Sequence, residues 1–274
     1  MSKLLKVDFY KMFKTKSFYI IGIILLSFTT LIAITTSLLC VDAYQNIGNF
    51  TSDLGETAID ASVIFPGIFS TIASTLSSIV TYTSIFMIMF MCSEFSYGTI
   101  KNIASKGYRR ESIYLSKFIC GIACTFIYTA VVVVANLVVA VIIVGNKIPH
   151  YFDLPSQFFT SISLTLLLLI SYISLALMIA SLIRGNGASI GAFFVLSILT
   201  PILLPKADEL LKNVIETDFT ISKYSLSTCL LQVTGADLTK AFNGNDLTRF
   251  ICVAVGFLVV TSTVGIYFFR KRDL

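Results

Sequence analysis

Charged residues are so sparse in this chain that six long runs carry none: Ser17–Val41, Ala61–Ser93, Phe118–Asn146, Leu154–Ile183, Gly185–Pro205 and Phe250–Phe269. The shortest has 20 residues and the longest 33, and in each the apolar side chains fall on every face instead of one stripe. A hydrocarbon core about 30 Å thick needs about 20 apolar residues of helix, so each run crosses once. None is long enough to cross twice. Strands of a transmembrane β-barrel would be about 10 residues long with alternating polarity, a pattern these runs lack. The pattern predicts an all-α integral membrane protein with six transmembrane helices, at roughly 17–41, 66–93, 118–145, 157–183, 187–205 and 250–269.

The stretches between the runs predict smaller elements. Lys3–Lys16 sets Leu4, Leu5, Phe9, Met12 and Phe13 among five lysines at near-helical spacing. That predicts an N-terminal interfacial helix with its lysines toward anionic headgroups, or a positive arm that only sets topology. The second span starts near Pro66-Gly67, where a first turn accepts proline, and the amide of Asn136 in the third is expected to bond a neighbouring helix. Arg184 and Gly185-Asn186-Gly187 leave so little chain that the fourth and fifth spans form a tight hairpin. Gly187 and Gly191 carry the every-fourth-residue spacing that lets helices approach closely, within the bundle or in a dimer, unless it only marks the helix start. Beyond it, Ala207, Leu210, Leu211, Val214 and Ile215, and then Leu226, Cys229, Leu230 and Val233, repeat at helical spacing within Lys206–Arg249. These predict short amphipathic helices in the last outer loop, either a lid over a translocation path or a cover on the bundle.

Composition agrees with the pattern: 56% of the 274 residues are hydrophobic, 13% are charged and the mean hydropathy is +0.88. The longest non-membrane piece, Lys206–Arg249, has only 44 residues, so residues 1–274 read as a single transmembrane domain. The net charge of +5 is unevenly placed. With the N-terminus cytoplasmic, 14 of the 20 basic residues lie on the inner side, while 11 of the 15 acids lie outside. Basic residues in short connections stay on the cytoplasmic side, so N and C termini are both predicted to be cytoplasmic. The positive charge thus reflects topology and argues for no nucleic-acid partner. Lys3–Lys16 precedes a run too long for a secretory signal, and an uncleaved first span is expected. Of the six cysteines, only Cys40 and Cys229 are placed where a bridge could form, and free thiols are the reading preferred.

Candidate chemistry is thin. The six runs hold no Asp, Glu, His, Lys or Arg, which disfavours a proton- or sodium-coupled carrier. The one histidine, His150, falls in a short outer turn and reads as a solvated loop residue, so no catalytic set and no metal ligand set is predicted. There is no Gly-x-x-x-x-Gly-Lys-Ser/Thr phosphate loop, so energised work would need a partner to supply the energy. The inner segment with specific content is Glu94–Lys117. Gly98 can start and Gly107 can stop a short helix with Ile100, Ile103 and Ala104 on one side and Lys101, Asn102 and Lys106 around the others. Such a helix would lie flat beneath the bundle and join the second and third spans, so that a soluble partner gripping it could move both.

The series Glu94, Gly98, Thr99, Ile100, Lys101, Asn102, Ser105, Lys106, Gly107, Arg109, Arg110, Tyr114, Leu115 and Lys117 resembles the inner loop of ATP-binding cassette (ABC) type 2 exporter permeases. Their loop has an acidic residue, then Gly-Thr-apolar-Lys/Arg-Asn, then Gly, Arg and a Lys at the next span. The ending Phe268-Phe269-Arg270-Lys271-Arg272-Asp273 is similar to theirs too. The resemblance covers the whole chain in topology and about two dozen residues in motif.

The resemblance implies a multi-pass permease subunit of the bacterial cytoplasmic (plasma) membrane. It would pair with a second permease, identical or paralogous, and be driven by separate ABC ATPase subunits that bind the ATP and Mg, leaving no cofactor and no enzyme activity in this chain. The coupling loop would be Glu94 and Gly98 through Gly107, including Ile103, with Arg109 and Arg110; Glu94 would anchor it by pairing with one of these arginines. Replacing Ile100 and Ile103 by Asp is expected to abolish coupling. The outer gate would contain Leu210, Leu211, Val214, Ile215, Leu226 and Leu230. Small permeases of this kind resemble peptide export and bacteriocin immunity systems, which implies an amphipathic peptide or lipid-like cargo. The competing reading is an ATPase-independent channel or scaffold subunit.

Overall fold

A computed structural model describes residues 2–54, 68–145, 156–183, 185–215, 220–235 and 243–271, and among these the chain is helical, with no strand. The first helix, α1 (Ser2–Lys14), stops at Thr15, whose N–H and hydroxyl both turn back to the Lys11 carbonyl. The long α2 (Lys16–Leu54) follows directly. Then come α3 (Ile68–Ser96), the short α4 (Thr99–Ser105), α5 (Arg110–Ile143) and α6 (Phe158–Ile183). The chain ends with α7 (Asn186–Ile215), a 3-10 turn (Ile221–Tyr224), α8 (Leu226–Thr234) and α9 (Gly244–Lys271). Six of these helices are long and apolar enough to cross a membrane, and the protein is a multi-pass membrane protein.

Apolarity made all six helices look alike, but packing divides them. In the most apolar stretch of α3, 67% of residues are buried, and in that of α6, 61%, against 28% in α2, α5 and α9 and 11% in α7. The pair α3 and α6 is therefore the axis of the bundle. On it, α9 packs along α6 while α2 and α5 pack on α3 and on each other. Hydroxyls join α6 to α9: Ser171 donates to the Ala254 carbonyl at 2.8 Å, and Thr261 donates to the Ser174 oxygen at 2.8 Å. Such bonds add direction where apolar contact with a neighbouring helix is no better than contact with lipid. Gly121 brings α5 against α6, since a Cβ there would stand 2.7 Å from Ile173 Cγ2.

The helices are longer than the uncharged runs at several ends. The start of α5 lies eight residues before Phe118, at Arg110, because Gly107 (φ +83°) breaks the chain and Arg109 is extended. Gly98 (φ +64°) likewise separates α3 from α4. The fifth span continues past Pro201 and Pro205 to Ile215, so the first of the expected outer amphipathic helices is instead the end of α7. Both prolines sit in a helix whose lost backbone bonds can be taken up locally, which membrane helices tolerate. Pro66, Gly67, His150, Arg184 and Asp273 lie outside the described residues.

Candidate functional site

The bundle has a proximal end, where α1 and the last turn of α9 lie, and a distal end. At the proximal end four charged residues meet. On α1, Leu4, Asp8 and Met12 recur every fourth residue and all three are buried, so an acid sits in the middle of the apolar face. That face packs on α5. Lys117, two turns into α5, donates to Asp8 Oδ1 at 2.5 Å and to Glu94 Oε1 of α3 at 2.7 Å. Ser116 donates to Asp8 Oδ2 at 2.5 Å, and Lys11 reaches Glu94 Oε1 at 3.2 Å.

The side chains of Lys117 and Asp8 are 0% exposed and that of Glu94 is 6% exposed. Removing an ion from water costs several kcal/mol even after relaxation, so each must recover that cost from its partners. Lys117 does so with two carboxylates and with the face of Phe90, its ammonium lying 4.5 Å from the ring centroid. Asp8 uses both oxygens. With Lys11 included, two acids meet two lysines and the cluster is neutral. One atom is left over: Glu94 Oε2 is buried and has no hydrogen-bond partner among the described residues. The cluster binds α1, α3 and α5 into one unit. Near it Arg110 donates to the Arg270 carbonyl at 2.9 Å, which adds the end of α9.

This arrangement corrects the expected pairing of Glu94 with Arg109 or Arg110. Arg110 is turned to α9, Arg109 is exposed, and Glu94 is taken by Lys117 and Lys11. The reason is packing: Glu94 lies in the last turn of α3, where the helices bring Lys117 of α5 and Lys11 of α1 against it. The expectation that the N-terminal lysines all face headgroups is corrected in the same way, since Lys3, Lys6 and Lys14 are exposed but Lys11 is turned inward.

The glycine-bounded helix α4 follows. Thr99 donates to the Glu94 carbonyl at 3.2 Å, and Ile100, 1% exposed, plugs into the bundle, with Ile103 half-buried beside it. Asn102, Ser105 and Lys106 are exposed, as is Tyr97 just before Gly98. The Lys101 side chain lies outside the described residues. Ile100 is thus an anchor of α4, and changing it would detach the helix instead of altering its outer surface.

A cavity of about 520 Å³ opens beside the cluster, where α1, α2, α3 and α7 meet; Tyr10, Lys11, Lys14, Phe90, Glu94 and Asn186 are among its lining.

At the distal end, Leu226, Cys229, Leu230 and Val233 are all buried and seat α8 on α6 and α3. Asp208, near the end of α7, accepts from the backbone N–H groups of Ile221 at 2.7 Å and Ser222 at 2.9 Å, which holds the 3-10 turn. Leu210, Leu211, Val214 and Ile215 continue α7, and their side chains lie outside the described residues. Gly187 and Gly191 have no atom within 4 Å of where a Cβ would stand, so they make no close helix approach within the described chain. Cys40 and Cys229 are free.

Sequence reasoning missed Asp8, Lys11 and Ser116 as site residues and treated Lys117 as a boundary. The available signal was local, an acid placed between Leu4 and Met12 on an apolar face. Its partners, 108 and 109 positions away, carried no such mark. The chain belongs to the family described as protein of unknown function (DUF2705), which matches residues 30–274 and so includes Glu94 and Lys117 but not α1. No curated protein matches it.

Proposed function

We propose that this chain is the membrane-spanning permease subunit of an ATP-driven exporter, coupled to a separate cytoplasmic ATPase through residues 94–117. The proximal end would face the cytoplasm of a bacterial cell. A second copy or paralogue would complete the translocation path, and an amphipathic peptide or a lipid-like molecule would be the cargo. Supporting this reading are the resemblance of the 94–117 segment to type 2 exporter loops and the excess of basic residues in the connections at the proximal end. The observation that carries it is α4: a short helix isolated by two left-handed glycines, anchored by Ile100 and presenting Asn102 and Lys106 outward.

In this reading the ATPase grips the exposed face of α4. Ile100 and the Thr99 bond transmit its movement to α3, and the buried ion cluster passes it to α5 and α1. Breaking a cluster bond would strand a charge, so the three helices move together. A partner drives such a change only if it binds one arrangement more tightly than the other.

The test is purification of the full-length tagged protein from its native membrane in mild detergent, with Asn102→Glu plus Lys106→Glu as the variant. These changes alter the outer surface of α4 and leave Ile100 in place. The expected outcome is an ATPase carrying a phosphate-binding loop that co-elutes in stoichiometric amount and is lost in the variant. Absence of any ATPase in several detergents, with activity indifferent to ATP, would sink the proposal in favour of an ATPase-independent channel or scaffold.

A further inference from the structure

The bundle takes up one face of α1, that of Leu4, Asp8 and Met12, and leaves a different one outside. Lys3, Lys6, Val7, Tyr10, Phe13 and Lys14 are exposed, at the spacing i, i+3, i+4, i+7, i+10 and i+11 that makes a single stripe along a helix. Its apolar members stand well clear of the chain: Val7 is 48% exposed, Tyr10 64% and Phe13 44%. Packing has also sorted the charges. Asp8, the only acid before Asp42, is buried with Lys117, and Lys11 is turned to Glu94. Lys3, Lys6 and Lys14, with exposed Lys16 at the start of α2, are in no ion pair among the described residues. The outer surface of α1 and the first turn of α2 therefore holds four cations and no acid.

Cations interleaved with large apolar side chains fit an occupant that is anionic at one level and apolar just below it. Position identifies it. Thr15 alone separates α1 from α2, and Tyr19, Ile20 and Ile23 in the first turns of that span are again exposed. The Phe13 ring lies 5.7 Å from that of Phe18, which lies 5.4 Å from that of Tyr19, so aromatic side chains join the exposed face of α1 to the exposed side of the span. Aromatic rings at the end of a span sit at headgroup level, and lysines there extend to the phosphates. We propose that the outer face of α1 is a docking surface for an anionic bilayer leaflet, of phosphatidylglycerol-class lipid. Val7, Tyr10 and Phe13 enter the interfacial layer, and Lys3, Lys6, Lys14 and Lys16 gather anionic headgroups around them. Because Asp8 and Lys11 tie α1 to α5 and α3, the leaflet holds the proximal end of the bundle at a fixed depth. This inference rests on the membrane-spanning fold and stands whether or not the chain serves an ATPase.

The chain has no tryptophan, so Tyr10→Trp places a single fluorophore on this face. The full-length variant is reconstituted in vesicles of equal phosphatidylglycerol and phosphatidylcholine with matched chains, one lipid at a time carrying bromines at the headgroup end of its chains. Bromine there quenches only a fluorophore seated in the bilayer. The expected result at low salt is quenching by both lipids, with phosphatidylglycerol enriched around the fluorophore about five-fold, the worth of one lysine near an anionic surface. Adding Lys3→Gln, Lys6→Gln, Lys14→Gln and Lys16→Gln, which leaves the ion cluster intact, should bring the two lipids to equality. Those lysines also direct insertion. A second arm therefore keeps them and raises the salt to about 1 M, where screening within about 3 Å should remove most of the preference. Equal quenching by the two lipids at low salt, or a preference that survives both the lysine substitutions and the salt, would overturn the proposal. Quenching by acrylamide in the water with none from either brominated lipid would overturn it too, and would make α1 a surface for a soluble partner.

Discussion

At the proximal end of the bundle, α1, α3 and α5 close over Asp8, Glu94 and Lys117, charges that have given up water for one another. At the distal end, α8 is held by four buried apolar side chains, by Ser161 donating to the Val233 carbonyl at 3.3 Å, and by Arg249 donating to Gln232 at 2.8 Å. The two ends would yield differently. Losing part of an ion cluster leaves a charge in a low-dielectric site, so that end is all or nothing. Sliding an apolar face by a fraction of a turn exchanges one set of contacts for a similar one, so the distal end can give by degrees. A bundle built this way is stiff where α4 is attached and more yielding at the end that α8 covers.

The sharpest way to break the contrast is to remove the shared cation. Lys117→Met leaves two carboxylates buried with Lys11 alone near them, and is expected to cost about 3–5 kcal/mol, read as a fall in the thermal unfolding midpoint in detergent. Adding Asp8→Asn should recover part of that loss, because one stranded charge is removed. If the single variant unfolds like the parent, the cluster does not hold the proximal end.

Smaller effects come from the glycines, which compare packing inside the bundle with its outside. Gly121→Val drives a branched side chain into Ile173 and Met87 and should cost about 1–3 kcal/mol in the same unfolding measurement. At Gly191 a Cβ would meet no atom within 4 Å among the described residues, so Gly191→Val should change the monomer's stability by no more than about 0.5 kcal/mol. Loss of a dimer in Gly191→Val, seen by cross-linking in the membrane with monomer stability intact, would assign Gly191 to a contact between chains.

The gentlest probe reads the distal end through Cys229. Burial pushes its thiol above the ordinary range, against a smaller opposing pull from Arg249. The folded state therefore favours the neutral thiol. Its contribution to α8 docking is complete below the ordinary thiol pKa and is lost as pH rises through the raised value. Alkylation of Cys229 should be slow at neutral pH and accelerate above the pH where an unperturbed thiol would already react. Exposed Cys252 on α9 differs in being open on the bundle's outer face. Fast labelling of Cys229 at neutral pH would mean that α8 is already open.

Much of this architecture was legible in the sequence for simple reasons. Whether a run of 20 or more residues is apolar is a local property, so the six spans were visible without knowing their neighbours. The breaks at Gly98 and Gly107 were visible too, because a left-handed backbone position selects glycine wherever it occurs. The candidate site was hidden for a related reason. Cutting the chain at its charges assumes that charge marks water, and at Glu94 and Lys117 it marks the interior. Reading Leu210, Leu211, Val214 and Ile215 as a separate helix failed for a related reason, since Pro201 and Pro205 look like breaks but sit in a helix that continues.

By itself, then, the sequence determined how many helices cross, where the chain turns between α3 and α5, and that no phosphate loop is present. Those are sums over neighbouring residues, set by transfer free energy and backbone sterics. Only the tertiary structure decided that α3 and α6 are central while α7 lies outside, that Lys117 pairs with Asp8 and Glu94, and that Ile100 points inward. These depend on which faces meet, and a pairing between residues 109 positions apart has no energy until the intervening helices have packed.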